Sequence, residues 1–232
     1  MNILMQFLPL NPYKVNDKGV PMTAFLANIF SCGSIGIGLC ISHRIVDGAT
    51  FATFLNAWSE ASKGATQTII PSFDLASLFP PKDINVQVPH CVNSEEKTVT
   101  KRFVFDARSL GLLKAKVGLS GGHANPSRVE AVTSLIWKTP LSAPNYVRPP
   151  LVTKQEVEMY RFSNWIRFPF YNIDFGFGKP IWVCTTNVPI KNIVVLMSTR
   201  SGDGIEAWVT LAEQVMAKFE CHHELLEFAS ST

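Results

Sequence analysis

Ile41-Ser42-His43-Arg44-Ile45-Val46-Asp47-Gly48 is the stretch of this chain best equipped for chemistry. An imidazole has an unperturbed pKa near ~6.5, so it can accept a proton at neutral pH and serve as a general base. His43 falls where a strand should end and a helix begin, which puts it at a junction rather than on a packed face. Asp47 stands just before that helix, where a carboxylate can cap free backbone N–H groups. Gly48 permits a tight turn. A surface histidine beside a capping aspartate would use the same residue types, so these residues alone leave both readings open.

A second stretch, Asp174-Phe175-Gly176-Phe177-Gly178-Lys179-Pro180, alternates glycine with aromatics. It implies a loop with close backbone contacts. It is not a phosphate loop, because neither GKS/GKT nor G-x-G-x-x-G spacing is met. An aromatic-rich turn is the plainer reading. Ser127-Arg128-Val129-Glu130 matches the S-x-x-E capping box that opens a helix. His222-His223, an isolated pair near a polar tail, reads as solvated surface, and His43 has no partner histidine at helical spacing, so a zinc hydrolase is disfavoured.

The elements that must position these residues follow from periodicity. Residues 23–42 read as a hairpin about the turn Cys32-Gly33-Ser34. In its second strand Ile35, Ile37, Leu39 and Ile41 alternate with Gly36, Gly38, Cys40 and Ser42. One face therefore admits close approach, either by a packed element, which is the expectation, or as a substrate wall. Phe51, Phe54, Leu55 and Trp58 make a helical stripe that Gly64 should end. Residues 66–100 read as a surface crossing, Lys101 to Phe105 as a strand, and Asp106 as the cap of a helix carrying Leu110 and Leu113. Gly118 to Pro126 is expected as a loop. A helix then opens at Ser127, turns Val129, Val132 and Ile136 inward, and stops at Pro140. Residues 140–150 are irregular, and Gln155 to Phe162 is expected to be helical. Ile193 to Met197 and Ile205 to Leu211 flank a second hairpin turn, and Ala212 to Phe219 reads as a final helix.

Composition narrows the function classes. Apolar residues make up 47% of the 232 positions and charged residues 17%, which is ample for a core and excludes disorder. A net charge of +3 without a basic run gives no ground for a nucleic-acid partner. Cysteines at 32, 40, 91, 184 and 221 form no CxxC pair, which fits reduced thiols and a cytoplasmic setting better than a disulfide framework. The uncharged run from Val20 to Ser42 is interrupted by glycine and polar residues, so no membrane span is expected. The N-terminus has neither a basic region nor a small-residue cleavage site, and no signal peptide is read.

Taken together, His-x-x-x-Asp-Gly followed by Asp-Phe-Gly-aromatic-Gly resembles the signature pair of the BAHD acyl-CoA-dependent acyltransferases. Phe7-Leu8-Pro9, the run Ala52 to Trp58, Pro71 to Ala76, Lys101 to Asp106, Ser127 to Glu130, Ile136-Trp137-Lys138 and Thr199 to Gly204 resemble the same family. The likeness spans nearly all of residues 6–228 and is strongest to vinorine synthase-like alkaloid acetyltransferases.

The resemblance implies an α/β fold of two domains with mixed sheets, similar to chloramphenicol acetyltransferase, with a channel between them. Residues 1–88 plus 172–191 would form a partial first domain carrying both motifs, and 89–171 plus 192–232 a partial second. It implies transfer of an acetyl or other acyl group from acyl-CoA to a hydroxyl of a plant specialised metabolite such as an alkaloid. His43 would be the general base, acting directly and without an acyl-enzyme. Asp47 and Gly48 would brace it, Asp174, Phe175, Gly176, Phe177 and Gly178 would shape the channel wall, and Ser127 and Arg128 would approach CoA. Acyl-CoA would be a co-substrate with no permanent cofactor and no metal, and the protein a monomer. Four departures stand out. Family members begin upstream of Phe7. The motifs here are only 131 positions apart, with a loss expected between Lys138 and Gln155. No Asn-Leu-Arg segment supplies an arginine for Asp47, and Arg148 is a poor substitute. Phe177 stands where the family usually has tryptophan. The chain is therefore expected to be an incomplete copy, and a non-catalytic binding fragment is the alternative reading.

Overall fold

The computed structural model describes residues 3–11, 19–65, 69–72, 74–80, 82, 97–121, 125–141, 159–186 and 191–231. Two sheets organise them. The smaller is the expected hairpin, β1 (Thr23–Ile29) antiparallel to β2 (Ile35–Ile41). The larger has five strands in the order β4-β5-β6-β3-β7, namely β4 (Arg161–Asn164), β5 (Ile193–Ser198), β6 (Ile205–Ala212), β3 (Thr98–Phe105) and β7 (Ser230–Ser231). β4 lies parallel to β5 and the other neighbours are antiparallel, so the sheet is mixed.

Side chains alternate across a strand, and the large sheet uses both of its faces. Phe103, Phe105, Val194, Leu196, Ile205, Ala207, Val209 and Leu211 lie in one core. They pack with residues of α3 (Ala107–Gly121), α4 (Arg128–Leu141), α5 (Glu213–Phe219) and α6 (His223–Leu226), while α2 (Leu75–Leu78) is a four-residue helix. Val195, Met197 and Trp208 belong to a second core with Phe170, Ile173 and the helix α1 (Gly48–Ser62). All eight residues of β6 are consequently buried. Glu206 lies within that strand at 3% exposure, where an unpaired carboxylate would be costly. Arg102 satisfies it with two hydrogen bonds, Nε to Oε2 at 2.8 Å and Nη2 to Oε1 at 2.9 Å.

α1 is the element that matters most for the site. Asp47 caps it, accepting the Thr50 N–H at 2.7 Å. Gly64 ends it at φ +81°, with the Gly64 N–H bonded to the Ala61 carbonyl. Its buried residues are Ala52, Leu55 and Ser59. The aromatic stripe read from the sequence flanks this line: Phe51 and Trp58 are half-buried and Phe54 is exposed. Small residues at 52 and 59 let the helix approach closely, and burying Leu55 contributes about 1.5–3 kcal/mol. The rings cover the sides.

Three expectations change. Gln155 to Phe162 is not a helix where it can be seen: Arg161 and Phe162 open β4, whose backbone is satisfied by parallel pairing to Ile193 and Val194. Residues 155–158 lie outside the described residues. Gly118 does not end the preceding helix, and α3 continues to Gly121 because a single glycine only weakens a helix. The chain past α5 is not a polar tail, since Leu225 and Phe228 enter the first core. His222 sits before α6 with a buried Nδ1 that finds no hydrogen-bond partner among the described residues, which corrects the solvated reading for His222, while His223 is exposed. The proline-rich stretch 142–150, Arg148 included, lies outside the described residues, as does most of the 66–100 crossing, whose last residues from Thr98 already belong to β3.

Candidate active site

β2 leads directly into the site. Its small-residue face is filled by the chain's own N-terminal segment rather than left as a wall. The Phe7 carbonyl comes so near Gly38 that a Cβ there would sit 1.8 Å from its oxygen. Asn28 Nδ2 donates to the same carbonyl at 3.1 Å, and the Cys40 thiol donates to the Leu10 carbonyl at 3.7 Å. Burial pushes the Cys40 thiol pKa up.

Residues 42–47 then join β2 to α1. The Ser42 N–H bonds the Met22 carbonyl at 2.8 Å, the Ile45 N–H bonds the Ser42 carbonyl at 3.1 Å, and the Arg44 N–H bonds Ser42 Oγ at 3.3 Å. His43 is exposed on this turn. Asp47 is extended at φ −94°, ψ 179°, as an N-cap requires, and the Thr50 backbone N–H holds its carboxyl below the ordinary aspartate range. That contact is the helix cap read from the sequence. Gly48, however, is not needed for a positive φ. A Cβ there would lie 2.9 Å from the Phe168 ring and 3.8 Å from Trp165 Nε1, so its lack of a side chain serves close packing.

The second motif lies at the other end of the same helix. Asp174 Oδ1 accepts the N–H groups of Gly176 at 2.8 Å and Gly178 at 3.0 Å. Those two bonds lower the Asp174 pKa, with the nearby Lys63 charge helping. Gly176 and Gly178 adopt φ +101° and +106°, which explains both glycines. Phe175 meets Trp58 edge-on at 4.8 Å and stacks with Phe177 at 6.1 Å. At 1.5 Å per residue, α1 puts about 22 Å between its ends, so the motifs do not meet.

Ser127 and Arg128 occupy a third place. Ser127 Oγ accepts the Glu130 N–H at 3.2 Å and Glu130 Oε2 accepts the Ser127 N–H at 2.7 Å, which completes the capping box. Arg128 Nη1 donates to the carbonyls of Gly202 (3.2 Å) and Asp203 (2.7 Å) in the β5–β6 turn. Sequence reasoning gave no role to Trp165 and Phe168, which border Gly48. The aromatic spacing Trp165, Phe168, Phe170 was the available signal. Among the described residues no helix is long and apolar enough to cross a membrane, and no group of three or more His, Cys, Asp or Glu side chains could hold a metal ion.

The Transferase family model matches residues 1–148 and 142–226. The chain belongs to this family, the BAHD acyltransferases. BAHD proteins are acyl-CoA-dependent acyltransferases, and this chain is one of them by family. It is 33% identical to stemmadenine O-acetyltransferase of Catharanthus roseus over 292 residues, covering 92% of this chain and 69% of that protein. It is also 33% identical to vinorine synthase of Rauvolfia serpentina over 306 residues, covering 98% and 71%. The crystal structure of vinorine synthase superposes with a TM-score of 0.79 at 31% identity, covering 98% of this chain and 71% of that one. That of F. sporotrichioides TRI101, complexed with coenzyme A and T-2, gives 0.65 at 14% identity over 91% and 70%, a likeness of fold alone. The BAHD fold expected from the motifs is therefore the fold observed. Both alignments to the plant relatives run longer than the 232 residues of this chain, so those proteins carry residues it lacks. The family match divides at 142–148, inside the interval where a loss was expected.

Proposed function

We propose that this BAHD chain transfers an acetyl or similar acyl group from acyl-CoA to the hydroxyl of a plant specialised metabolite, an alkaloid first among them, with His43 as general base. His43 takes the hydroxyl proton as the oxygen attacks the thioester carbonyl. The tetrahedral oxyanion collapses, the C–S bond breaks, and the departing thiolate takes the proton from the imidazolium. The observation that carries this reading is the exposed His43 on a turn fixed at both ends, by β2 on one side and the Asp47 cap on the other. A base so held contributes about 10²–10⁴ in rate, and joint binding of both substrates contributes more.

Transfer is direct in this reading, because the nearby Cys40 thiol is engaged with the Leu10 carbonyl and its pKa is raised by burial. Asp47 and Gly48 brace His43. Asp174 to Gly178 are structural and shape the channel on the acyl-CoA side. Ser127 and Arg128 border the CoA path. The domain division is 1–88 plus 172–191 against 89–171 plus 192–232, and the protein acts as a monomer in this reading. The cytoplasm is the proposed setting, supported by four described cysteines that are all free. Relatives named for stemmadenine and vinorine motivate the alkaloid acceptor.

The test is acetyl transfer from acetyl-CoA to a panel of alkaloid and phenolic alcohols. His43→Ala should lose nearly all turnover while melting as the parent does. An active His43→Ala protein ends the assignment. The shorter interval between the motifs favours a second reading, that the chain binds these small molecules without turnover. Binding of acetyl-CoA with no product from any acceptor would decide for it.

A further inference from the structure

The segment that follows β4 brings an aromatic side chain against the glycine that ends the His43 turn. Residues 165–169 leave the end of β4 and are pinned to β5, with the Trp165 N–H on the Leu196 carbonyl at 2.7 Å and Ser198 Oγ on the Ile166 carbonyl at 2.7 Å. Trp165 is fixed further by Nε1 donating to Ser163 Oγ at 2.8 Å, and the Phe168 N–H closes a turn on the Trp165 carbonyl at 3.0 Å. This rigid turn aims the Phe168 ring at Gly48. A Cβ on Gly48 would stand 2.9 Å from Cε2 and 3.2 Å from Cζ of that ring. Phe170, edge-on to Phe168 at 5.7 Å and 6.0 Å from Phe51, closes the packing around the first turn of α1.

We propose that Phe168 is a positioning residue for His43, setting its place relative to the five-stranded sheet through contact with Gly48. The proposal rests on His43 being the general base. The physical reason is leverage. His43 stands five residues before Gly48 on a turn whose backbone bonds run only to Met22, Ser42 and the start of α1. Described hydrogen bonds of that turn do not reach the large sheet. From Ala52 onward α1 is held by the second core, and the ring at Gly48 sets the last step between that core and the turn that carries His43. Interior packing is dense, so a missing ring or an added methyl is transmitted rather than absorbed. Misplacing a catalytic group by about 1 Å can cost about 10²-fold in rate.

The experiment uses the full chain with Phe168→Ala, Gly48→Ala, the double variant Gly48→Ala with Phe168→Leu, His43→Ala, and Phe219→Leu as a control in the other core. Two readouts are taken: kcat and KM for acetyl-CoA, and the imidazole NMR resonance of His43, assigned by its loss in His43→Ala. The resonance needs no turnover. Phe168→Ala and Gly48→Ala should each shift or broaden it and lower kcat by about 10–100-fold, with KM for acetyl-CoA much less affected. The double variant should recover much of the Gly48→Ala loss, because leucine ends short of the ring edge. Phe219→Leu should lower the melting temperature and leave the resonance alone. A Phe168→Ala protein that is merely less stable, with the His43 resonance and kcat of the parent, overturns the proposal while leaving His43 as base. Turnover that survives His43→Ala overturns the base assignment itself.

Discussion

Replacing Gly178 by alanine isolates the conformational demand of the second motif. Gly178 adopts φ +106°, a region L side chains rarely enter, yet nothing lies within 4 Å of the Cβ it would acquire. Clash is thus removed from the comparison and backbone strain remains. Such strain costs about 1–3 kcal/mol. Alanine also stiffens the unfolded chain, which returns about 0.4–1 kcal/mol. A net loss of roughly 1–2 kcal/mol is expected, or about 2–8 °C in melting temperature at this size. Two other glycines calibrate the result. Gly64, at φ +81° and equally open, should behave like Gly178. Gly111 is exposed within α3 with open space about it, and its alanine variant should gain about 0.5–1 kcal/mol. The assay is thermal unfolding of the three variants, with acetyl transfer measured alongside. Because α1 separates this loop from His43 by about 22 Å, kcat should hold in Gly178→Ala. A Gly178→Ala protein that melts with the parent while Gly111→Ala rises would refute the reasoning, and so would an unchanged melting temperature with lost turnover.

Asp47→Asn keeps one acceptor oxygen for the Thr50 N–H and should be less destabilised than Asp47→Ala. Its folded pKa lies below the 3.8 of a free aspartate, so the carboxylate's contribution is full above that value and fades as pH falls through the lower folded pKa. Acid titrations of parent and Asp47→Asn should therefore diverge above pH ~4 and converge below it. Arg102→Ala strands Glu206 in the sheet and should cost about 3 kcal/mol by denaturant unfolding. Replacing both partners, Arg102→Met with Glu206→Leu, should cost far less, and equal losses would contradict the pairing. Burial pushes the Cys184 thiol up to about 11, whereas the Ser34 hydroxyl lowers the pKa of the exposed Cys32. Iodoacetamide at pH 8 should label Cys32 well before Cys184 by peptide mass spectrometry, and the reverse order would refute the placement of Cys184.

Much of the fold could be read because its signals are local. The hairpin 23–42, the start of α1 at Asp47 and its stop at Gly64, the capping box at Ser127 and the second hairpin at 193–211 are all written in short-range pattern. β4 could not be read that way. Arg161 to Asn164 is a strand because β5 offers a parallel partner, and that partner comes 32 positions later. The chain after α5 looked polar, yet Leu225 and Phe228 have a core to enter only once α4 and β3 are folded beside them.

The sequence alone determined which residue types stand together: a base-competent histidine, a capping carboxylate four residues on, and a glycine loop with close backbone contacts. These depend on residue type and near-neighbour geometry. Tertiary structure alone decided how they are arranged. It placed the two motifs at opposite ends of one helix. It filled the small face of β2 with the Phe7 backbone and assigned the space at Gly48 to Phe168. Those outcomes depend on which distant segments come to share a surface, and contacts across a sheet or between cores are set by packing the whole chain at once.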